Sequence, residues 1–196
     1  FERVHANDPE WSLKRALGVL LKVCEATSYA HDKGVLHRDL KPSNVMVGKY
    51  GEVYVMDWGL AKVAGRSDAH DIRLMNRRGV SLNSVKTDRK DEREEHADSP
   101  LMTLDGAVIG TPYYMPPEQA RGRGDEVDAR SDVYAVGAML YQLLVGDMPY
   151  HSKGDQPSPH TVLAMVIQGP PADIHLKAPQ VCEELRDICS KAMERD

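Results

Sequence analysis

The sequence predicts a mostly α-helical domain that carries one small β-hairpin. Apolar residues recur at three- and four-residue steps over residues 13–24, and residues 133–145 are apolar on most sides, so both segments are predicted helices. Two short apolar runs at 45–47 and 53–56 flank the turn residues 48–51, which is typical of a hairpin. A length of 196 residues with 41% hydrophobic content is enough for one substantial core.

The composition argues against several classes of protein. A formal net charge of −5 gives no sign of a nucleic-acid-binding surface, so we expect no nucleic-acid partner. Cys24, Cys182 and Cys189 have no paired-ligand spacing, which indicates reduced thiols in a cytosolic protein and neither a disulfide framework nor a metal site.

The sequence also predicts where the protein is found. No signal peptide opens the chain, and no apolar run approaches the ~18 residues of a membrane span. The chain begins abruptly and ends inside a predicted helix, so we expect it to be a piece of a longer protein. We expect a cytoplasmic location, which includes the cytosolic part of a membrane-anchored protein.

The first predicted helix begins near Asp8, which is suited to be the N-cap because Pro9 would occupy the first helical position. Gly34 is predicted to be its C-cap. Patterns of the same kind predict two further short helices at 161–168 and 180–194. We expect the first helix to deliver the chain into the polar segment that follows Gly34.

Residues 37–44, His-Arg-Asp-Leu-Lys-Pro-Ser-Asn, bring chemically distinct groups into a span that Pro42 keeps from becoming a helix. Phosphoryl transfer needs a base that orients the attacking hydroxyl, cations around the phosphate oxygens, and ligands for magnesium. Asp39 is suited to be the base, Lys41 to reach the transferred phosphate, and Asn44 to bind Mg²⁺ through its carbonyl oxygen. The alternative for these residues is an ordinary polar turn.

A second acidic position follows the predicted hairpin, where Asp57-Trp58-Gly59 comes directly after the second strand. Taken alone, an acidic residue and a glycine after a strand indicate only a turn. One hairpin separates Asp57 from Asn44, however, and it would bring both magnesium ligands to one side of a nucleotide. Met46 would then lie under the adenine as an apolar floor, and a methionine in the core is the alternative.

These motifs resemble the signatures of protein kinases. Residues 37–44 fit the catalytic-loop pattern H-R-D-L-K-x-x-N, and 57–59 resemble D-F-G with tryptophan in place of phenylalanine. Residues 110–118, Gly-Thr-Pro-Tyr-Tyr-Met-Pro-Pro-Glu, resemble the end of a kinase activation segment. The chain is most similar to the eukaryotic-like Ser/Thr protein kinases of bacteria. The resemblance implies ATP and Mg²⁺ as cofactors, and protein substrates with Ser or Thr acceptors.

The resemblance also implies the domain organisation. Residues 1–196 would be the large lobe of a kinase domain with the small lobe absent, and 57–118 would be its activation segment. Residues 64–100 are polar and carry a mixed-charge run, which predicts a mobile insertion in that segment. Thr103 is the best candidate phosphoacceptor, and Arg38 would pair with a phosphate there. The other candidates are Ser81, Ser84 and Ser99.

Three further roles follow from the same resemblance. Thr111 would hydrogen-bond both Asp39 and Lys41 and so help to fix the base, although a Thr-Pro pair before two tyrosines is also ordinary turn chemistry. Glu118 would form a buried ion pair with an arginine further toward the C-terminus. Asp132 would accept hydrogen bonds from backbone amides of the catalytic loop, or it would only cap its own helix.

Two functions remain open from the sequence. None of the small-lobe motifs, G-x-G-x-x-G or V-A-I-K, precedes His37, so we expect the 196 residues alone to bind ATP poorly and transfer little or no phosphate. The parent protein would be an active kinase, with Lys41 favouring Ser and Thr as acceptors. The alternative is a pseudokinase that acts as a scaffold or a regulatory binding module.

Overall fold

The structure is a computed structural model, and it describes residues 1–6, 8–63, 112–151, 154 and 156–195. The insertion predicted at 64–100 lies outside the described residues. Thr103 and Thr111 also lie outside them, so the roles expected for these two residues stay predictions.

The mostly helical character predicted from the sequence is confirmed in the described residues. Their α-helices, in chain order, are α1 Glu2–His5, α2 Leu13–Asp32, α3 Pro117–Ala120, α4 Ala129–Val145, α5 Pro159–Gln168, α6 Ile174–Lys177 and α7 Glu183–Ala192. Helices α2, α4, α5 and α7 correspond to the four segments predicted from apolar periodicity.

The strands of the described residues form two separate antiparallel pairs. They are β1 Val35–Leu36, β2 Val45–Val47, β3 Val53–Val55 and β4 Lys62–Val63. The predicted hairpin is the β2–β3 pair, in which Met46 lies opposite Tyr54. The β1–β4 pair was not predicted, and it joins Val35 to Val63 and Leu36 to Lys62. It brings together the two ends of the segment that contains most of the candidate site residues.

Helix α2 begins later than the sequence predicted. Ser12 is its N-cap, with its hydroxyl oxygen accepting from the Arg15 N–H at 3.2 Å. The prediction that Asp8 caps this helix is wrong, because the Asp8 carboxylate instead accepts from the Glu10 N–H and pairs with Arg3 at 2.7 Å. These contacts hold a turn that precedes the helix.

The end of α2 lies close to the predicted glycine. The C-cap is Lys33, and Gly34 follows it with a φ of 71°. A left-handed residue directly after the C-cap is a common way to end a helix, and glycine adopts it without strain. Gly34 therefore lies one residue beyond the C-cap position predicted for it and turns the chain into β1.

Helix α4 lies at the centre of the core, and 11 of its 17 residues are buried. It packs against α2 on one side and α7 on another. At Gly137 a β-carbon would come within 2.8 Å of Ala192 and Met193, so the glycine lets the end of α7 approach closely. Asp128 caps α4 through a capping box that it forms with Ser131.

Candidate active site

The segment that contains the catalytic-loop motif runs from β1 to β2 and includes one turn of 3₁₀ helix, Pro42–Asn44. Pro42 does not prevent all helical structure here. It occupies the first position of the turn, where its missing N–H is not needed. The Asn44 N–H donates to the Lys41 carbonyl at 2.9 Å, and Asn44 is 6% exposed. The turn therefore fixes Asn44 directly before β2.

Three of the predicted site residues meet at one carboxylate oxygen. The Lys41 Nζ atom lies 2.7 Å from Asp39 Oδ2, and the Asn44 amide donates to the same oxygen at 3.1 Å. The Asn44 amide also donates to the Asp39 backbone carbonyl at 2.8 Å. Both donors therefore hold Oδ2 and fix the orientation of the Asp39 carboxylate.

The two predicted magnesium ligands are joined through the hairpin. The Met56 N–H donates to the backbone carbonyl of Asn44 at 2.8 Å, so Asp57 comes directly after a residue that is hydrogen-bonded to Asn44. Asp57 adopts a left-handed conformation with φ 61°, which is uncommon outside glycine, and its side chain is exposed. Strained backbone of this kind clusters at functional sites.

The donor set at these positions suits Mg²⁺. The Asn44 nitrogen is used by Asp39, so its side-chain carbonyl oxygen is the atom available to a cation. Asp57 supplies a carboxylate, and Mg²⁺ is held by one or two such oxygen ligands together with substrate phosphates. Within the described residues, no cluster of three or more His, Cys, Asp or Glu side chains is placed to hold a metal ion.

Met46 lies on the exposed side of the hairpin. It is 47% exposed, and its cross-strand partner Tyr54 is 51% exposed. The alternative that Met46 belongs to the core is therefore wrong. An exposed apolar side chain two residues after Asn44 is consistent with an adenine floor, and that role stays a prediction.

A buried carboxylate on α4 holds the backbone of the catalytic loop. Asp132 is 1% exposed, and it accepts from the His37 N–H and the Arg38 N–H at 2.8 Å each. It also lies 2.8 Å from His31 Nε2 on α2. The expectation that Asp132 accepts from loop amides is confirmed, and Asp128 rather than Asp132 caps the helix.

Residues 3–196 match the family model described as protein kinase domain. The chain belongs to the protein kinase family. It is 40% identical over 139 residues to the serine/threonine-protein kinase PknD of Protochlamydia amoebophila, covering 71% of this chain and 12% of that protein. It is 38% identical over 154 residues to PknB of Mycobacterium tuberculosis, covering 79% and 19%. The predicted likeness to bacterial Ser/Thr kinases is confirmed.

The chain spans less than a fifth of the length of these curated relatives. Another relative, PknD of Chlamydia muridarum, is 32% identical over 171 residues, covering 83% of this chain and 16% of that protein. Protein kinases transfer the γ-phosphoryl group of ATP with the help of Mg²⁺. No helix in the described parts of the chain is long and apolar enough to cross a membrane.

Arg38 in the kinase motif has a φ of 68°, a left-handed conformation that is strained for a residue with a β-carbon. Its guanidinium Nε donates to the Leu60 carbonyl at 2.5 Å. Its own carbonyl accepts from the Gln119 side chain on α3 at 3.0 Å. Sequence reasoning missed Gln119, because no local pattern links it to a residue so far away in the chain.

Trp58 links the D-W-G segment to the catalytic loop. Its ring lies 4.5 Å from the buried His37 ring, measured between centroids. The indole N–H donates to the Val55 carbonyl at 3.0 Å, and His37 Nε2 lies 3.0 Å from the Met56 carbonyl. The phenylalanine that is usual at this position in kinases has no group that could donate to Val55.

The predicted end of the activation segment is anchored on α4. The Tyr114 hydroxyl donates to the Gln142 side chain at 2.7 Å, and burial raises the pKa of Tyr114. The half-buried Glu118 carboxylate accepts from the Ser131 hydroxyl at 2.5 Å. Glu118 therefore has Ser131 as a hydrogen-bond partner, and the ion pair expected with an arginine further toward the C-terminus stays a prediction.

Proposed function

We propose that the protein is a Ser/Thr protein kinase, which transfers the γ-phosphoryl group of ATP to hydroxyl groups of protein substrates. The observation that carries the proposal is the meeting of Lys41 and Asn44 on one oxygen of Asp39. The cluster combines a carboxylate suited to be the base, a cation and an amide oxygen suited to bind Mg²⁺, which are among the parts that phosphoryl transfer uses. The intact set of large-lobe residues and the names of the relatives support the same activity.

Asp39 is the catalytic base in this proposal. Its Oδ1 atom accepts a hydrogen bond from the substrate hydroxyl and directs the hydroxyl oxygen toward phosphorus. Lys41 and Asn44 hold Oδ2, so the carboxylate does not have to reorganise when the reaction begins. This fixed orientation is a positioning contribution, which is the main contribution a protein makes to this reaction.

The remaining residues hold the nucleotide. Lys41 has three donors, and those not used by Asp39 reach the transferred phosphate. Asn44 and Asp57 supply oxygen ligands for Mg²⁺, and Met46 supplies an apolar surface for the adenine. Bound Mg²⁺ neutralises charge on the phosphate oxygens. Thr111 completes the site by hydrogen bonding to Asp39 and Lys41.

The proposal includes the domain organisation. The chain is the large lobe of a kinase domain, with 57–118 as its activation segment and Thr103 as the phosphorylated residue. The motifs that hold phosphate from the small lobe are not found before His37. Because the reaction uses cytosolic ATP, the location we propose is the cytoplasm, either free or as the cytosolic part of a membrane-anchored protein.

Phosphate transfer from Mg²⁺-ATP to Ser- and Thr-containing peptides by the full-length protein tests the activity. Asp39→Asn keeps the size of the base and removes its charge, and it should lower the rate by roughly 10²–10⁴-fold. Asp173→Asn is the matched control, since Asp173 is exposed at the N-terminus of α6 and asparagine caps a helix equally well.

The outcomes separate the two functions. Transfer to Ser or Thr that is lost in Asp39→Asn and kept in Asp173→Asn supports the kinase. A full-length protein that binds ATP or a partner protein without any transfer supports the pseudokinase. The 196 residues on their own should show weak ATP binding and little turnover, and turnover near that of the full-length protein would contradict the large-lobe assignment.

A further inference from the structure

Gln119 makes a hydrogen bond that links α3 to the catalytic loop. Its Nε2 atom donates to the Arg38 carbonyl at 3.0 Å, across 81 residues of sequence. Because a carbonyl oxygen accepts and never donates, the amide nitrogen has to face it. The other end of the amide, Oε1, is buried and has no hydrogen-bond partner among the described residues. Such an unsatisfied group costs about 1–3 kcal/mol, so packing alone does not explain a glutamine at this position.

The group that Gln119 holds adjoins the proposed base. The Arg38 carbonyl and the Asp39 N–H belong to one planar peptide unit. The N–H end of that unit lies 3.3 Å from His37 Nδ1, which accepts from it. The oxygen end is held by Gln119. The tilt of this plane decides where the α-carbon of Asp39 lies, and therefore where its carboxylate points.

The same peptide unit follows a strained residue. Arg38 has a φ of 68°, and its own N–H is held by Asp132 at 2.8 Å. A strained conformation of this kind persists only where the surroundings fix it from several directions. Asp132 on α4 fixes the peptide before Arg38, and Gln119 on α3 fixes the peptide after it.

We propose that Gln119 is a positioning residue for phosphoryl transfer, which acts by fixing the Arg38–Asp39 peptide and so aiming the Asp39 carboxylate. The inference rests on the proposed role of Asp39 as the base. Gln119 does not touch the reacting groups. Its substitution should change kcat more than KM, because its amide donates to the peptide unit of the base and not to the proposed nucleotide-binding residues Lys41, Asn44, Met46 and Asp57.

Two variants of the full-length protein separate hydrogen bonding from side-chain size. Gln119→Met keeps a long unbranched side chain without a donor, and Gln119→Glu replaces the donor with a carboxylate oxygen. Both should lower kcat about 10- to 100-fold with the KM for ATP changed less than about twofold, since a displaced base slows the chemical step. A KM that rises while kcat is unchanged would overturn the proposal.

The pH dependence supplies a readout that a packing role would not move. In the Gln119→Glu variant, the acid form of the introduced carboxyl group carries an O–H that can donate to the Arg38 carbonyl, as the native amide does. Burial and this hydrogen bond both favour the neutral acid. The kcat of Gln119→Glu relative to wild type should therefore rise as the pH falls, and the ratio for Gln119→Met should stay flat. Parallel ratios for the two variants would contradict the proposal.

Hydrogen exchange tests the positioning without any need for activity. Exchange of the Arg38 and Asp39 amides should be at least about tenfold faster in Gln119→Met than in wild type, because the peptide has lost a fixed partner. Gln142→Met is the matched control, since Gln142 is another half-buried glutamine and its side-chain oxygen accepts from Tyr114, away from the loop. It should leave these two amides at the wild-type rate.

The results distinguish the two levels of the proposal. Unchanged exchange in Gln119→Met, or equal acceleration in Gln142→Met, overturns the role of Gln119 whether or not the protein transfers phosphate. If exchange is faster in Gln119→Met and the wild-type protein shows no transfer, the structural role of Gln119 stands and the kinase activity is contradicted. Melting temperatures of both variants, measured in parallel, separate local loosening from general unfolding.

Discussion

Replacing Asp132 by asparagine should destabilise the fold more than any other exchange of a carboxylate for an amide in the described residues. The carboxylate is 1% exposed and is shared by three donors. Oδ2 accepts from the His37 N–H and faces His31 Nε2, while Oδ1 accepts from the Arg38 N–H. Asparagine keeps the shape of the side chain, but it has only one acceptor oxygen.

The magnitude follows from these contacts. The better of the two amide orientations keeps the oxygen at the Oδ2 position, where it still accepts from His37 and His31. The NH₂ group then faces the Arg38 N–H, and two donors oppose each other. Losing that charge-assisted bond and leaving a part-buried N–H unsatisfied costs about 2–4 kcal/mol, which is a large part of the roughly 5–15 kcal/mol that stabilises a typical domain.

Urea unfolding, followed by far-UV circular dichroism, measures this cost. The midpoint should fall without a change in the slope, and the melting temperature should drop by roughly 2–4 °C for each kcal/mol. Asp173→Asn, on the exposed N-terminus of α6, should leave both values unchanged. A loss of less than about 0.5 kcal/mol in Asp132→Asn would refute the reasoning, because it would mean that the hydrogen bond to the Arg38 N–H contributes nothing net.

Three further predictions concern α4, the cysteines and Trp58. Burial opposes ionisation of Asp128, but hydrogen bonds from Arg130 outweigh it and lower the pKa of Asp128. Asp128→Ala should therefore lower the free energy of unfolding by about 1 kcal/mol at neutral pH, measured by thermal unfolding. The difference from wild type should shrink as the pH falls below about 4, because the wild-type carboxylate then takes up its proton. Burial raises the pKa of Cys189 to about 12. Iodoacetamide at a pH of about 8 should therefore alkylate the exposed Cys182 in the folded protein, and Cys189 only after urea is added. Equal alkylation rates of the two cysteines in the folded protein would refute this. Trp58→Phe removes the donor to Val55 and should lower the unfolding free energy by about 0.5–1.5 kcal/mol, whereas an unchanged value in urea unfolding would show that the hydrogen bond has no net effect.

The parts of the fold that could be predicted are those set by local patterns. Helix α4 follows from an apolar run, and the β2–β3 hairpin follows from two short runs around turn residues. The β1–β4 pair could not be predicted, because each strand has only two residues and each pairs with a partner far away in the chain. The start of α2 was misplaced because Asp8 and Ser12 are both good N-caps, and only the contact between Asp8 and Arg3 decides between them.

The candidate site divides in the same way. Asp39, Lys41 and Asn44 lie within six residues, so their meeting follows from one short loop and could be expected from the sequence. Asp132 was expected from the resemblance to kinases, since its partners lie 94 and 95 residues away. Gln119 had neither a local pattern nor a motif role, and only the tertiary fold reveals its contact with Arg38.

The β1–β4 pair has a mechanical consequence. It closes a neck around residues 37–61, which include the proposed base, the lysine and both proposed metal ligands. Lys62 also donates to the Gly124 carbonyl at 3.1 Å, which fastens this neck to the turn before α4. A pulling force applied to the two ends of this segment acts first on the hydrogen bonds of the β1–β4 pair. The geometry between the base and the ligands therefore does not change until that pair opens.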